Sequence, residues 1–248
     1  MKQVDYDDIG RDYKRLDEEQ PVKEGLINYW MLKFCGDVDN KRVLDLGCGS
    51  GFFSRAIAKK GAREVIGVDL SRDEIEMAEG EEKSAPLNVK YFQGDLRDFD
   101  YSNIGPVDLI TASVSLHYAK NSEELKKFIS LPTKNIKSGG IFVACVNNSA
   151  NDIGEWPTEK KEYDEVQDSD GKKIKVGLYN LEGEKVVEFI NYSYSREVYE
   201  KIFSEAGYGE FEWFEMVPSE ETMIKYPEMD WSKNLAKPTL VIVKAVKK

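Results

Sequence analysis

Histidine is almost missing from this 248-residue chain, where His117 is the only one. That excludes metal centres built on several imidazoles and leaves one side chain that ordinarily titrates near neutrality. Cysteine is scarce too. Cys35, Cys48 and Cys145 contain no Cys-x-x-Cys pair, and three cysteines in a chain of this length make no disulfide framework. No metal site is expected. Apolar runs stay short of the roughly 18 residues that a membrane-spanning helix needs, so no membrane partner is expected. The opening residues, Met1-Lys-Gln-Val-Asp-Tyr-Asp-Asp, hold no apolar stretch, so no secretory leader is expected and the cytoplasm is the default location. Positive charge is in deficit, with 35 Lys and Arg against 46 Asp and Glu, a formal net charge of -11. A large nucleic-acid footprint needs clustered cations, so no nucleic-acid partner is expected.

What is present is organised around Val43-Leu-Asp-Leu-Gly-Cys-Gly-Ser-Gly51. Three glycines alternate with other residues directly after a short apolar run, and a helical pattern follows at once. This places a glycine-rich turn between a buried strand and a helix N-terminus, where backbone N–H groups point at a ligand. At average glycine usage the pattern Asp-x-Gly-x-Gly-x-Gly arises by chance at about one position in 10⁵.

Around that turn the chain alternates strand and helix. Strands are expected over 42–46, 64–70, 88–93, 107–114 and 141–146, with helices over 52–60, after the capping box Ser71-Arg-Asp-Glu74, and from Asn121. Such alternation implies an α/β fold, a Rossmann-like, doubly wound sheet. Ahead of it, Tyr6, Ile9, Tyr13 and Leu16 share one helical face, and Pro21 opens a second helix carrying Leu26, Ile27, Trp30, Met31 and Phe34. Residues 147–194 break the rhythm. The stretch 151–170 carries eight acidic residues against two lysines, and two strand-like runs, 173–181 and 185–194, flank Glu182-Gly183 as a hairpin. Strands over 211–217 and 239–246, with no helical pattern between them, suggest an antiparallel end to the sheet. A single domain over 1–248 is expected. It divides into N-terminal helices and lid (1–40), cofactor-binding core (41–146), cap insertion (147–194) and the end of the sheet (195–248).

The glycine turn alone is compatible with NAD, FAD or S-adenosylmethionine. Asp45, two residues before Gly47, would repel a pyrophosphate but suits an ammonium group. Asp69 ends the second strand, placed to accept from both ribose hydroxyls, and Asp95 follows the third, placed to accept from an adenine amino group. A cofactor with an amino acid, a ribose and an adenine matches this series.

These residues resemble the class I S-adenosylmethionine-dependent methyltransferases, a resemblance spanning about residues 41–146. It implies a seven-stranded sheet with an antiparallel last strand and S-adenosyl-L-methionine as the cofactor, leaving S-adenosyl-L-homocysteine as product. By the same resemblance Gly47, Cys48 and Gly49 contact the cofactor's amino-acid part and Asp69 with Leu70 the ribose. Asp95 and Leu96 then take the adenine, and Ser113 lies near the methionine portion. The run Tyr6-…-Ile9-Gly-…-Tyr13 is similar to the lid helix of members that act on small molecules. A looser likeness, to small-molecule methyltransferases of the toxoflavin-biosynthesis type, rests on Tyr192-Ser-Tyr-Ser-Arg-Glu-Val-Tyr199, Glu205-Ala-Gly-Tyr208, Trp231 and Lys237-Pro238.

Methyl transfer from a sulfonium needs positioning and exclusion of water, and a base only if the attacking atom must lose a proton first. His117, in Ser115-Leu-His-Tyr118 after the fourth strand, is the candidate base; a structural histidine is the alternative. Tyr118, Trp156 and Tyr192 are candidates for the substrate pocket, with Tyr163, Tyr179 and Tyr194 as further aromatic cover. Ala112-Ser113-Val-Ser115 lacks the Asn-Pro-Pro-Tyr type of sequence that goes with macromolecular amide or base nitrogens. The expected acceptor is a small molecule, methylated at nitrogen rather than oxygen. A non-catalytic cofactor-binding module, a macromolecule methyltransferase and a nicotinamide dehydrogenase are the competing readings.

Overall fold

The computed structural model describes residues 21–156, 158–167, 170–180 and 183–248. Tyr6 and Tyr13 lie outside the described residues, as does Glu182 of the expected hairpin turn. Helix α1 starts with a wide π-type segment, Val22–Asn28, and continues as Tyr29–Cys35 until Gly36, at φ 67°, ends it. Trp30 makes the helix–sheet contact its spacing suggests: its ring centroid lies 4.3 Å from that of Phe214, and its Nε1 donates to Val217 O at 2.6 Å.

Strand β1 (Arg42–Leu46), helix α2 (Phe52–Lys59), β2 (Glu64–Asp69), helix α3 (Arg72–Ser84) and β3 (Val89–Gln93) form the first half of the main sheet. Then come β4 (Val107–Ser113), α4 (Ser122–Thr133) and β5 (Ile136–Asn147). β1, β2 and β4 are buried along nearly their whole length, as central parallel strands covered on both faces must be. β1 pairs in parallel with β2 and β4, β2 with β3, and β4 with β5. After helix α5 (Arg196–Glu205), β10 (Tyr208–Glu215) and β11 (Leu240–Lys247) complete the sheet, β11 running antiparallel to both β5 and β10. The strand order is β10-β11-β5-β4-β1-β2-β3. Helices cover both faces of this seven-stranded sheet, and two apolar clusters fill the layers between. The direction of winding reverses between β1 and β4, and a ligand crevice in such sheets opens there, beyond the carboxyl ends of the strands.

Two expectations need correction. The stretch between β10 and β11 is helical after all: α6 (Glu220–Lys225) and α7 (Ser232–Ala236) are too short to show a periodicity. The insertion holds four strands, not two. β6 (Gly154–Trp156), β7 (Glu159–Tyr163), β8 (Lys172–Tyr179) and β9 (Lys185–Ser193) form a separate antiparallel sheet in that order. β6 and β7 lie inside the acidic stretch. One face of this cap sheet buries Ile174, Val176, Val187 and Phe189 together with Tyr118 and Leu178; the other carries Glu155, Lys160, Glu162 and Lys175.

Candidate functional site

The glycine turn after β1 is a backbone cradle. Gly47, Gly49 and Gly51 have φ of 68°, 52° and 83°, the left-handed region that favours glycine. A side chain on Gly47 would collide with Ser115, and one on Gly51 with the Tyr91 hydroxyl. At Gly49 the nearest atom to an added Cβ is Glu74 Oε2 at 3.4 Å, so the turn is open on that side. The loop is pinned from below: Gly47 N–H donates to Val68 O at 2.8 Å, and Gly49 N–H to Asp69 Oδ2 at 2.8 Å. No side chain caps α2, which leaves its first N–H groups and the positive end of its dipole facing the turn.

Asp69 closes the cradle from the end of β2. Its other oxygen accepts from Ser71 N–H at 2.9 Å, which ties it to the start of α3. Beside it Leu70 is 54% exposed and Phe92, on β3, 42%. Cys48 lends only backbone to the cradle. Its side chain is buried, with Sγ 2.7 Å from where a Gly67 Cβ would stand. Burial pushes its thiol well above the usual range, and the carboxylates of Asp69, Asp45 and Glu74 push it further. Three carboxylates therefore surround this turn, a field that attracts a cation and repels a pyrophosphate.

Asp45 itself does not line the cradle. It is 1% exposed, and its two oxygens accept from Ser54 Oγ at 2.6 Å and Thr111 Oγ1 at 2.8 Å. Those hydroxyls bind α2 and β4 to β1, so the carboxylate works as an internal brace and not as a direct partner for an ammonium group. Burial raises its pKa to about 6 despite the two hydrogen bonds. Asp95 sits beyond β3, its carboxylate gripped by Arg97 through Nε at 2.8 and 2.9 Å and through Nη2. That guanidinium holds its pKa below the usual carboxylate range. The Leu96 side chain is buried in the core, so only its backbone is available to a ligand.

Ser113, half-buried at the end of β4, stands in register with Cys145 of β5. Next to it Val114 has φ 52°, a strained value for a β-branched residue, at the bend that turns the chain into the short helical turn Leu116–Tyr118. The sequence gives no sign of this strain.

His117 lies in that turn, 4% exposed, and its Nδ1 has no hydrogen-bond partner among the described residues. Burial, with the nearby charge of Lys161, lowers its pKa to about 3. The histidine expected as a base is thus neutral, weakly basic and covered. Tyr118 beside it packs under the cap, its ring centroid 6.2 Å from that of Phe189. Trp156 is buried on the same inner face of the cap sheet. Tyr192 is not brought to them: it points to the other face and packs on the main core. Tyr194 is buried, donating to Ala119 O at 2.7 Å, and Tyr163 is exposed with its hydroxyl on Asp152 Oδ1 at 2.8 Å. Lys161, absent from the expected site, lies on the inner face of the cap, where Nζ donates to Asn147 Oδ1 at 3.2 Å.

Residues 43–140 match the family described as a methyltransferase domain. Over this span the core is similar to a methyltransferase domain. Its strand order and antiparallel β11 are those of the S-adenosylmethionine-dependent class I architecture. Among similar proteins, the ubiquinone biosynthesis O-methyltransferase of Vibrio campbellii is 28% identical over 142 residues, 57% of each chain. The cypemycin N-terminal methyltransferase of a Streptomyces species is 35% identical over 112 residues, 44% of each chain. The chain thus spans about half the length of the curated relatives it matches. The methyltransferase fold also superposes on a solved S-adenosylmethionine dependent methyltransferase from Mesorhizobium loti, with a TM-score of 0.66 at 18% identity, covering 93% of this chain and 99% of that one. That likeness is one of fold. The matched segment ends within β5, so the family match takes in the cradle and leaves out the cap sheet.

Proposed function

We propose that this protein transfers the methyl group of S-adenosylmethionine to a nitrogen of a small molecule held between the cradle and the cap sheet. The observation that carries the reading is the cradle itself. The uncapped helix start, whose first N–H groups face the turn, suits an α-carboxylate, the Asp69 carboxylate suits a ribose diol, and the carboxylates of Asp69 and Glu74 beside the turn suit the ammonium and sulfonium charges. Residues Gly47 to Gly49 hold the amino-acid end, Asp69 and Leu70 the ribose, the Asp95–Leu96 backbone with Asp95 the adenine, and Ser113 the methionine chain.

When bound, the cofactor supplies a methyl group already activated by its sulfonium charge. The chain's part is to set the acceptor nitrogen in line with that methyl and to keep water out. The cap sheet and Tyr118 provide the cover. A neutral amine presents a lone pair without prior deprotonation, whereas a hydroxyl needs a base. His117, with a pKa of about 3, is a poor one, and this favours nitrogen. The overall charge of -11 favours a small acceptor over a nucleic acid.

The test is to incubate the protein with methyl-labelled S-adenosylmethionine and three acceptor pools: small-molecule amines, total protein and tRNA. Label is expected in the first pool. Label confined to protein or tRNA would overturn the acceptor class, and cofactor binding with no transfer to any pool would leave a non-catalytic binding module.

A further inference from the structure

The inner face of the cap sheet carries a lysine that the cradle does not use. Lys161 lies in the middle of β7 with its side chain 2% exposed. Its Nζ donates to Asn147 Oδ1 at 3.2 Å and faces Glu159 Oε2 at 3.2 Å. An ammonium has three N–H donors, so these partners leave one without an acceptor among the described residues. Lysine is almost never buried this deeply unless its charge and its donors are met. Glu159 meets the charge only in part, since its side chain is 24% exposed and water screens it.

Lys161 has company. Trp156 Nε1, Ser193 Oγ, Asn191 Oδ1 and His117 Nδ1 are all buried, and none has a hydrogen-bond partner among the described residues. Strand register puts the three cap residues on the same face as Lys161. Trp156 pairs with Glu159, two residues before Lys161, and Lys161 aligns through Val176 with Phe189, from which Asn191 and Ser193 continue the alternation. The face looks onto Tyr118 and His117 and onto Asn147, the last residue of β5, at the ligand-binding edge of the methyltransferase core. Unmet polar groups gathered on one buried face are the signature of a missing partner.

Their chemistry says what kind of partner. The lysine ammonium and the tryptophan N–H only donate, and the serine hydroxyl can donate. Donors grouped around a buried cation suit an anionic oxygen group. We propose that Lys161 and Trp156 bind a carboxylate on the methyl acceptor, with Asn147 holding the lysine in place and Asn191 Oδ1 taking an N–H of the same molecule. This rests on the reading of the core as a small-molecule methyltransferase and adds the acceptor's charge.

The experiment measures binding of paired probes, nicotinate with nicotinamide and benzoate, phenylacetate and indole-3-carboxylate with their primary amides, to the full chain with and without S-adenosylhomocysteine. At least one carboxylate is expected to bind tenfold or more tightly than its amide. Lys161→Met is expected to remove that preference and leave S-adenosylhomocysteine affinity within twofold. Trp156→Phe, which keeps the ring and loses only the N–H, is expected to weaken the same carboxylate several-fold, and it decides the matter if Lys161→Met does not fold. Equal binding of acids and amides by the wild type, no binding of any acid, or an unchanged preference in these variants would overturn the proposal. Carboxylate binding without any S-adenosylhomocysteine binding would instead overturn the methyl-donor reading and spare the carboxylate site.

Discussion

Two buried titratable side chains, Asp45 and His117, pull stability in opposite directions with pH. Asp45 has its folded pKa raised from 3.8 to about 6, so its contribution favours the folded state at low pH and is lost as pH rises through 6. His117 has its folded pKa lowered from 6.5 to about 3, so its contribution is present above 6.5 and is lost as pH falls toward 3. Between about pH 4 and 6 each is worth ~1.4 kcal/mol per pH unit, with opposite sign. Their effects oppose each other, so the pair adds little net pH dependence across that window. Asp45→Asn leaves the His117 effect unopposed, so its stability should fall more steeply than that of the wild type, by ~1.4 kcal/mol per unit, as pH drops from 6 to 4. Parallel profiles for variant and wild type would mean that Asp45 is solvated. The same burial bears on catalysis. The pH profile of kcat should show no limb near pH 6–7, and a limb there that disappears in His117→Asn would restore the histidine as a base.

At the scale of elements, the cradle depends on how tightly β1, α2 and β3 meet. Gly51→Ala places a methyl against Tyr91 and holds alanine at φ 83°, which together should cost about 2 kcal/mol or more in a denaturant melt. Tyr91→Phe removes a buried hydroxyl that has no partner among the described residues, so on its own it should be neutral or stabilising. Ser71 accepts from Glu74 N–H at 3.2 Å at the start of α3, and Ser71→Ala should cost about 1 kcal/mol. The cap at Ser71 was legible, as were the glycine turn and the buried central strands, because each rests on local chemistry: a hydroxyl three residues before a carboxylate, a positive φ, a continuous apolar run. The cap sheet was legible only in half. In β7 the charged residues Lys160 and Glu162 point outward while Lys161 points inward, so a stretch that reads as a solvated acidic loop is a strand with one buried face. Lys161 was missed because four charged residues in a row, Glu159 to Glu162, show no alternation of apolar with polar side chains. Asp45 shows the opposite limit. Its position at the end of β1 was clear, but whether its oxygens face a ligand or the hydroxyls of Ser54 and Thr111 is decided by α2 and β4, far apart in the chain.

For the whole molecule, charge and topology act together. The net charge of -11 and the carboxylates around the glycine turn form a field that favours cations. S-adenosylmethionine carries one more positive charge than S-adenosylhomocysteine. Raising NaCl from 0.02 to 0.5 M should therefore weaken the first several-fold and the second much less. Equal salt dependence would show that the field does not reach the sulfur. The cradle follows β1, where the winding of the main sheet reverses, and the cap follows β5 at the same carboxyl edge, an arrangement that suits methyl transfer to a molecule held between them.

Calorimetric titration of S-adenosylhomocysteine into the wild type and into Asp69→Ala, with NAD as a control ligand, distinguishes a methyl-donor site from a dinucleotide site. The expected result is a micromolar-range Kd for the wild type, at least a tenfold loss in Asp69→Ala with thermal unfolding still cooperative, and no heat from NAD. Binding of NAD in place of S-adenosylhomocysteine, or an affinity untouched by the loss of the Asp69 carboxylate, would contradict a methyl-donor site.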